Sequence, residues 1–466
     1  MYLMNRKRLL LLSAGLSACL SSFAQIEIDF SEEVGEIKLM NAVNNGPVVE
    51  KKVQKSGNFR AYSDAGFPYA RLHDAPIRRD WAHTVDVSCV FPDFSADEED
   101  PRSYDFTLTD KLLKEIQASG TKVFYRLGQS IEHWPKKYDV MPPADFRKWA
   151  RICEHIVLHY NYGWADGFNM GIEYWEIWNE PDLGHRAGRH LRNDSPTWNG
   201  SDTDFFRFYE TAYRHLKKCF PELKFGGPAL CEDNEWAERF LEYMSSKRVG
   251  LDFFSYHLYA GTAGAFQKKN ALMKELLDRY GYGDVEMILD EWNYLSNWTD
   301  EFVYTLETVQ SHKGAAFTAA VMSVCQDGPA DMLMYYDARP GTGFNGLFAF
   351  STSKPLPAYY AMYSWKKLLA LGTQVRSTAG GLEDIYVTAA KGEDGRNAAL
   401  ITYYTDDRDP VAPVRVTVDF RGCRIREAVG HITDKNHLHT EVPVHIIDGK
   451  AELFLEVNSY IFIETR

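Results

Sequence analysis

The sequence has few of the residue patterns that bind metals, nucleotides or nucleic acids. Its seven cysteines include no CxxC pair and no Cys/His spacing typical of zinc ligands. No GxGxxG turn follows the first predicted strand, as a dinucleotide-binding fold would require. The formal net charge of -13 disfavours nucleic acids and anionic membrane surfaces, which attract clustered Lys and Arg. We therefore expect no metal, no organic cofactor and no nucleic-acid partner, and a neutral ligand fits this charge better.

Long apolar segments are also missing beyond the N-terminus. No later run of about 20 apolar residues occurs, so we expect no membrane span. At the N-terminus, three basic residues at 6–8 precede the short apolar stretch 9–18, as in an export signal. We predict a signal peptide over 1–24 and an exported protein that is periplasmic or secreted. The alternative is an outer-membrane lipoprotein with a lipid anchor at Cys19, which ends a lipobox-like Leu-Ser-Ala-Cys.

Between residues 65 and 340, short apolar runs rich in β-branched and aromatic residues alternate with helical patterns. This alternation is typical of repeated βα units. The predicted strands lie at 68–74, 85–91, 122–127, 174–179, 223–228, 253–259, 285–290 and 331–336. Eight such units favour a closed barrel over an open sheet.

After a last helix near 357–371 the pattern changes to short alternating runs, which are typical of an all-β module. We therefore predict an α/β fold in which a (β/α)8 TIM barrel occupies 61–371. An accessory β-sandwich is predicted over 372–466. The segment 25–60 precedes the first predicted barrel strand and is expected to add a strand or two to the sandwich.

Two of the predicted strands end in a carboxylate. The strand at 174–179 runs into Asn-Glu-Pro, and the proline stops the strand and places Glu180 on a loop. The strand at 285–290 is followed directly by Glu291 and Trp292. Active sites of such barrels gather at the C-terminal ends of the strands, so both carboxylates are expected in one mouth. A pair about 5–5.5 Å apart performs retaining glycoside hydrolysis, one as acid/base and the other as nucleophile.

These motifs carry a family resemblance. Trp-Asn-Glu-Pro at 178–181 and Asp-Glu-Trp-Asn at 290–293 resemble those of a large clan of retaining barrel glycosidases. Arg-Leu-His-Asp at 71–74 and Ser-Tyr-His-Leu-Tyr at 255–259 narrow the resemblance to glycoside hydrolase family 39, the β-xylosidase and α-L-iduronidase family. The resemblance covers roughly residues 40–370, and members also carry a β-sandwich.

The resemblance implies that Glu180 is the general acid/base and Glu291 the nucleophile. Asn179 would hydrogen-bond the sugar 2-hydroxyl, an interaction that strengthens in the transition state. Further candidates for substrate binding, each of which could instead serve barrel packing, are His73, His257, Tyr259, Trp292 and Asp337.

The sequence departs from the family pattern in two places. An iduronidase must bind a substrate carboxylate with cationic side chains near His257, yet Leu258 and Tyr259 follow that histidine. We therefore predict a neutral glycone such as xylose, arabinose or a hexose. The long basic segment 183–200 could cap the pocket, contact a second sugar unit or be a plain surface loop.

The sequence thus predicts an exo-acting retaining glycoside hydrolase, similar to β-xylosidases, that forms a covalent glycosyl-enzyme intermediate with an oligosaccharide or glycoside substrate. Two alternatives stay open. The first is an arabinofuranosidase or endo-glycanase of the same clan, and the second is a barrel that binds carbohydrate without catalysis. The sequence carries no signal for the oligomeric state.

Overall fold

The computed structural model describes residues 24–50, 56–73, 84–133, 135–186, 189–190, 195–341, 344–409, 411–425 and 427–465. Within these ranges, no helix has both the length and the apolar character that a bilayer span needs. Cys19 and the rest of the predicted leader up to residue 23 lie outside the described residues.

The described strands are β1 (Ala24–Glu36), β2 (Leu39–Asn44), β3 (Tyr69–Arg71), β4 (Lys122–Leu127), β5 (Tyr174–Ile177), β6 (His185–Arg186), β7 (Arg189–His190), β8 (Lys224–Leu230), β9 (Phe253–Tyr259), β10 (Glu286–Asn293), β11 (Met332–Tyr335), β12 (Thr373–Thr378), β13 (Ile385–Lys391), β14 (Asn397–Tyr403), β15 (Val414–Arg421), β16 (Ala428–Thr433), β17 (Thr440–Pro443), β18 (Lys450–Leu455) and β19 (Ser459–Thr465).

The described helices are α1 (Phe59–Ala65), α2 (Val87–Val90), α3 (Thr107–Ala118), α4 (Phe146–Tyr162), α5 (Asp202–Cys219), α6 (Asn234–Lys247), α7 (Ala263–Arg279), α8 (Phe302–Val309), α9 (His312–Gln326) and α10 (Pro357–Leu371), with a 3-10 turn at Pro101–Ser103.

Eight parallel strands close into a barrel in the order β2-β3-β4-β5-β8-β9-β10-β11, and β11 pairs with β2 to complete the ring. The predicted TIM barrel is therefore confirmed. From β4 onward each barrel strand matches a predicted one, so that β5 and β10 are the fourth and seventh strands, as expected.

The predicted strand at 85–91 is wrong, because this segment turns into the short helix α2. Its apolar residues are buried as a strand's would be, and a short apolar run cannot distinguish the two structures. The first barrel strand is instead β2, whose buried Asn41 and Asn44 weaken its apolar pattern. The predicted first strand, now β3, is therefore the second, and the barrel begins before residue 61.

The barrel interior is filled by side chains in layers. A lower apolar layer contains Tyr69, Tyr174 and Phe253, whose neighbouring rings lie 5.3 and 5.6 Å apart. Because side chains alternate along a strand, the residue two positions further on also points inward. On β3, β5 and β9 these residues are Arg71, Glu176 and Ser255. A polar layer therefore lies directly above the apolar one, towards the C-terminal ends of the strands.

The remaining long strands form the accessory β-sandwich around a separate apolar core. Their order is β17-β16-β19-β14-β13-β12-β1-β15-β18, and all neighbours are antiparallel except β1 and β15. β1 contributes Ile26, Ile28 and Phe30 to this core. The described part of the chain therefore passes first through the sandwich, then forms the barrel and returns to the sandwich.

The sandwich packs on α9 and α10 of the barrel, against β13, β14 and β19. Several ion pairs cross this junction. Lys313 Nζ lies 2.7 Å from Asp406 Oδ1, and Arg408 Nη1 lies 2.6 Å from Glu301 Oε1. Since Glu301 belongs to the loop after β10, the sandwich holds a loop at the mouth of the barrel.

Candidate active site

Glu180 lies three residues after β5, at the C-terminal end of the barrel. Its φ is +48° and that of Trp178 is +78°, left-handed values that residues other than glycine seldom adopt. The turn is held on both sides, because the Glu180 N–H donates to the Ala229 carbonyl oxygen (2.8 Å) and its own carbonyl oxygen accepts from Thr197 Oγ1 (2.6 Å). Glu180 is only 6% exposed. The turn therefore directs its carboxylate into the mouth of the barrel.

Glu291 is directed inward by a bulge in β10. The register between β10 and β9 shifts just before Glu291, so that Asp290 is one residue more than β9 can pair. A bulge interrupts the alternation of side chains between the two faces of a sheet. Both Asp290 and Glu291 consequently face the interior, where each contacts Arg71.

Arg71 joins these acidic side chains to the neighbouring strands and is fully buried. Its Nη1 donates to Glu291 Oε1 (2.8 Å) and its Nη2 donates to Asn179 Oδ1 (2.6 Å). Its Nε lies 2.6 Å from Glu176 Oε2 and 2.9 Å from Asp290 Oδ2. A buried guanidinium is tolerated only where acceptors surround it in this way. The contacts therefore fix Arg71 below the two carboxylates at the mouth.

His257 lies between the two carboxylates at the mouth. Its Nδ1 is 2.8 Å from Glu180 Oε1 and 3.6 Å from Glu291 Oε2, and its Nε2 is 3.5 Å from Asp290 Oδ1. Burial lowers the pKa of His257, but the charges of Glu291 and Asp290 outweigh burial and raise it well above the ordinary value. The ring is therefore protonated at neutral pH, and Nδ1–H donates to Glu180.

The two carboxylates lie close together. One oxygen of Glu180, one oxygen of Glu291 and a ring nitrogen of His257 lie within 4.8 Å of one another. This spacing fits the roughly 5–5.5 Å of a retaining pair and not the roughly 6.5–9.5 Å of an inverting pair. The same three residues are also of the types that can bind a metal ion. The arrangement therefore suits acid/base and nucleophilic chemistry.

Glu291 receives a hydrogen bond on each oxygen. Arg71 donates to Oε1, and the hydroxyl of Tyr259 donates to Oε2 at 2.9 Å. Burial raises the pKa of Glu291 above its ordinary value; the charges of His257 and Arg71 oppose this, and the charge of Glu180 adds to it. The two donors favour the anion and hold it in one orientation.

Asn179 and His73 line the other side of Glu291. The Asn179 amide oxygen is already used by Arg71, so its Nδ2 is left to face His73 Nε2 at 3.3 Å. His73 Nε2 is in turn 3.9 Å from Glu291 Oε1. The structure thus brings both residues to the two carboxylates, and their roles in substrate binding stay predictions.

An aromatic wall extends from Tyr259 to the protein surface. We define it as Tyr259, Trp298, Phe302 and Phe344. The Tyr259 ring lies 5.4 Å from that of Trp298 and 5.6 Å from that of Phe344. Trp298 is 58% exposed although it is the largest apolar side chain of the loop after β10. The wall therefore offers an open apolar surface beside Glu291.

The predicted substrate contact at Trp292 is corrected by its position. Trp292 directly follows Glu291, which faces inward, so Trp292 faces outward and packs against Phe266, Phe317 and Tyr335. It belongs to the packing between barrel and helices, where it is fully buried.

Asp337 follows β11 and is also buried. Its Oδ2 accepts from Asn45 Nδ2 (3.2 Å), and its Oδ1 accepts from the backbone N–H of Arg339 (3.2 Å). These contacts place Asp337 in the loop after β11, and its role in substrate binding stays a prediction.

The residues that sequence reasoning missed are Glu176, Ser255, Asp290 and Trp298. Glu176 lies on the strand that precedes Glu180, and its inward direction follows from alternation. Asp290 stands in the motif of Glu291, where the bulge leaves both side chains facing inward. Asp74, the last residue of the Arg-Leu-His-Asp motif, lies outside the described residues. In the segment 183–200, β6 and β7 pair as a short antiparallel hairpin, and residues 187–188 and 191–194 lie outside the described ranges.

Comparison with known proteins identifies related chains. The family model described as Glycosyl hydrolases family 39 matches residues 58–336, more than half of the chain. The beta-xylosidase of Geobacillus stearothermophilus is 28% identical over 214 residues, which are 42% of this chain and 37% of that protein. The beta-xylosidase of Caldicellulosiruptor saccharolyticus is 25% identical over 208 residues, with the same shares. The matches thus span little more than a third of these relatives.

Solved structures resemble the chain over almost its whole length. A glucosidase from Croceicoccus marinus superimposes with a TM-score of 0.76 at 22% identity, covering 95% of this chain and 99% of that one. A monomeric beta-xylosidase from Caulobacter crescentus CB15 superimposes with a TM-score of 0.69 at 16% identity and the same coverage. At these identities the likeness supports the fold of barrel and sandwich together.

The hydroxyl of Tyr259 is expected to lower the pKa of Glu291, because its hydrogen bond to the anion is stronger than a hydrogen bond to the neutral acid. Tyr259→Phe should therefore raise that pKa by about 1. The measurement is a titration of the protein labelled with 13C at the glutamate carboxyl carbons, with the Glu291 signal assigned from Glu291→Gln. Tyr282→Phe, which removes a hydroxyl that donates to the Val249 carbonyl oxygen, is the control. An unchanged titration in Tyr259→Phe would show that the hydroxyl does not support the anion.

Proposed function

Because the chain belongs to glycosyl hydrolase family 39, we propose that it is a retaining, exo-acting glycosidase of the β-xylosidase type. Glu180 is the general acid/base and Glu291 the nucleophile. The observation that carries the proposal is the approach of the two carboxylates within 4.8 Å, from the ends of the fourth and seventh strands. A barrel that only binds carbohydrate would not need a hydrogen-bonded anion facing a second carboxyl group.

In the first step a carboxylate oxygen of Glu291 attacks the anomeric carbon. A carbon–oxygen bond forms to Glu291 while the bond to the leaving oxygen breaks, and Glu180 gives its proton to that oxygen. Glu180 becomes an anion in the process. The protonated ring of His257, 2.8 Å from Glu180 Oε1, is placed to stabilise this new charge.

In the second step the roles of the acid/base are reversed. Glu180 removes a proton from water, and the water oxygen attacks the anomeric carbon of the glycosyl ester on Glu291. The ester bond breaks and Glu291 is released as an anion to the donors from Arg71 and Tyr259. Two inversions give overall retention of configuration at the anomeric carbon.

The surroundings of Glu291 favour a neutral sugar. Among the described residues, the cations that contact the two catalytic carboxylates are Arg71 and His257, and both also face Asp290. Their charge is therefore balanced before any substrate arrives. A sugar carboxylate would meet no unbalanced cation there, whereas the aromatic wall suits the apolar C–H face of a sugar ring.

We also propose that the protein is exported, on the basis of the basic residues at 6–8 and the apolar stretch 9–18. N-terminal sequencing of protein from fractionated cells of its bacterial host tests this proposal. A mature chain that begins at Gln25 supports the signal peptide, and an acylated Cys19 supports the lipoprotein alternative. An intact N-terminus in the cytoplasm would contradict both.

The kinetics of variants at the two carboxylates distinguish the acid/base from the nucleophile. On an activated aryl β-xyloside, Glu180→Ala should stall at deglycosylation, with kcat reduced about 10²- to 10⁴-fold. Azide, which needs no general base, should restore turnover and give a glycosyl azide of retained configuration.

Glu291→Ala should lose turnover and, with azide, give the azide of inverted configuration, because azide then attacks the substrate itself. Glu235→Ala, on the exposed face of α6, is the control. Equal activity of all three variants, or no hydrolysis of any xyloside, arabinoside, glucoside or galactoside by the wild-type protein, would contradict the proposed function.

The aromatic wall predicts an effect on binding more than on chemistry. Trp298→Ala removes the most exposed ring of the wall. It should raise KM about 2- to 13-fold, which corresponds to about 0.5–1.5 kcal/mol of aromatic stacking, with little change in kcat. Val303→Ala, which shortens another exposed side chain of the same region, is the matched control. Steady-state kinetics on a β-linked disaccharide provides the measurement, and a KM equal to that of Val303→Ala would exclude the wall from substrate binding.

A further inference from the structure

A cluster of three side chains on the outer side of the barrel takes no part in the proposed chemistry. Glu154 comes from α4, and His215 and Cys219 come from α5. His215 Nε2 lies 2.6 Å from Glu154 Oε2 and 3.9 Å from Cys219 Sγ. One donor atom of each side chain lies within 4.8 Å of the other two. A nitrogen, an oxygen and a sulfur donor therefore converge between two helices.

Helix geometry and helix packing bring these residues together. His215 and Cys219 are four residues apart on α5, so their side chains lie on the same face of that helix. α4 packs beside α5, where the rings of Trp149 and Phe208 lie 4.6 Å apart. Glu154 reaches the cluster from a position 61 residues earlier in the chain. We expected no metal from the sequence because the third donor becomes visible only in the fold.

The three donor types together select a class of ion. Imidazole nitrogen, thiolate sulfur and carboxylate oxygen are all ligands of Zn²⁺, at about 2.0–2.3 Å. Tetrahedral angles at these bond lengths place the ligand atoms about 3.3–3.6 Å from one another. The observed 2.6 and 3.9 Å lie on either side of this range, so small side-chain rotations would open the space for an ion. Mg²⁺ and Ca²⁺ prefer oxygen ligands and suit the sulfur poorly.

The cluster is accessible from solution. The side chains of Glu154 and His215 are 26% and 29% exposed, and Cys219 is exposed. An ion can therefore enter without opening the fold, and the exposed ends of the side chains are free to adjust to it. Three protein ligands leave a fourth tetrahedral position, which water can occupy on the solvent side.

The charges around the cluster favour a cation. Cys219 is the last residue of α5, where carbonyl groups without a helical partner give the helix end a partial negative charge. Partial burial and the charge of Glu154 raise the pKa of the Cys219 thiol, against the opposing charge of Lys218. The thiol is therefore neutral without an ion. A divalent cation reverses this balance, because the sulfur binds it as the thiolate and the thiol proton is released to solvent.

The sulfur atom distinguishes this cluster from a surface ion pair. An ion pair between Glu154 and His215 needs no third donor, and pairs that water can reach contribute little to stability. Here the sulfur lies beside both partners, so that each of the three groups is adjacent to the other two. This is the arrangement that a shared ion requires.

We propose that Glu154, His215 and Cys219 form a binding site for Zn²⁺ or a similar borderline-soft divalent ion that links α4 to α5. The two helices flank β5 in the chain, and β5 leads to Glu180. The ion would thus stabilise the part of the barrel that carries the acid/base, from the outside. The inference goes beyond the proposed function and does not depend on it.

Binding of Co²⁺ tests the donor set directly. The full chain, reduced and freed of metal with a chelator, is titrated with cobalt chloride. A thiolate ligand should give a sulfur-to-cobalt charge-transfer band that saturates in the wild-type protein and is lost in Cys219→Ser. Cys89→Ser, which removes the other exposed cysteine of the described chain, is the matched control and should keep the band. No band in the wild-type protein, or an equally strong band in Cys219→Ser, would overturn the proposal.

The affinity for Zn²⁺ tests the other two donors. In calorimetric titrations with zinc chloride, His215→Ala and Glu154→Gln should each raise Kd more than about 10-fold. Glu291→Gln removes a donor from the group of suitable side chains in the active site and should bind with the wild-type Kd. An unchanged Kd in His215→Ala, or weaker binding in Glu291→Gln, would assign the ion to another site and contradict the proposal.

Thermal unfolding tests the link between the helices. At free Zn²⁺ of about 100 times Kd, the Tm of the wild-type protein should rise by about 3 °C, whereas that of Cys219→Ser should rise by less than about 1 °C. An equal rise in both proteins would overturn the inference. This measurement needs no turnover, so absence of hydrolysis together with the specific rise in Tm would overturn the proposed function alone.

Discussion

The buried guanidinium of Arg71 is the interaction on which the site depends. A charge with no exposure to water must find acceptors within the protein, and each of its nitrogens does. Its partners come from different strands: Asn44 from β2, Glu176 from β5, and Asp290 and Glu291 from β10. Removing the guanidinium would leave several carboxyl groups without a counter-charge. The strands of one half of the barrel are therefore held in register by the same group that orients the nucleophile.

The position of Arg71 follows from the layered interior of the barrel. Aromatic rings fill the lower layer, and alternation places polar residues of the same strands in the layer above. The apolar floor keeps water away from the underside of the polar layer, so that hydrogen bonds and ion pairs there act at low dielectric. The raised pKa of His257 follows from this setting, since its neighbouring carboxylates are not screened by solvent.

The pair Glu180 and Glu291 was predictable because each stands at the end of an apolar strand in a distinctive motif. The alternation of side chains along β5 also predicts that Glu176 points inward. This direction becomes informative only when a partner for the buried acid is known. The bulge in β10 could not be predicted, because nothing in the letters Leu-Asp-Glu-Trp shows where pairing with β9 slips by one residue. Without the bulge, Asp290 would face inward and Glu291 outward. The same slip explains why Trp292 packs among the helices.

The prediction of strands failed where polar and apolar residues exchange their usual places. β2 carries buried asparagines, one of which accepts a hydrogen bond from Arg71. These polar residues interrupt the apolar pattern that would have predicted the first strand of the barrel. The segment 85–91 shows the opposite case, because its apolar residues cover the barrel without pairing. Asp86, just before α2, accepts from Arg126 and Ser130 and ties this segment to β4 and its following loop. Such residues are buried in either structure, and only backbone pairing distinguishes a strand from such a turn.

The sandwich shapes the mouth of the barrel although it supplies none of the carboxylates there. Arg408 contacts Glu301 and lies 4.3 Å from the centre of the Tyr304 ring, and Lys313 connects Asp406 to Tyr304. These contacts hold the loop that follows the nucleophile strand and carries Trp298. Without these contacts, conformational entropy would favour many other conformations of a long exposed loop that carries a large aromatic side chain. The strand β1, which enters the sandwich before the barrel begins, fixes the module that anchors this loop, so the aromatic wall depends on both ends of the described chain.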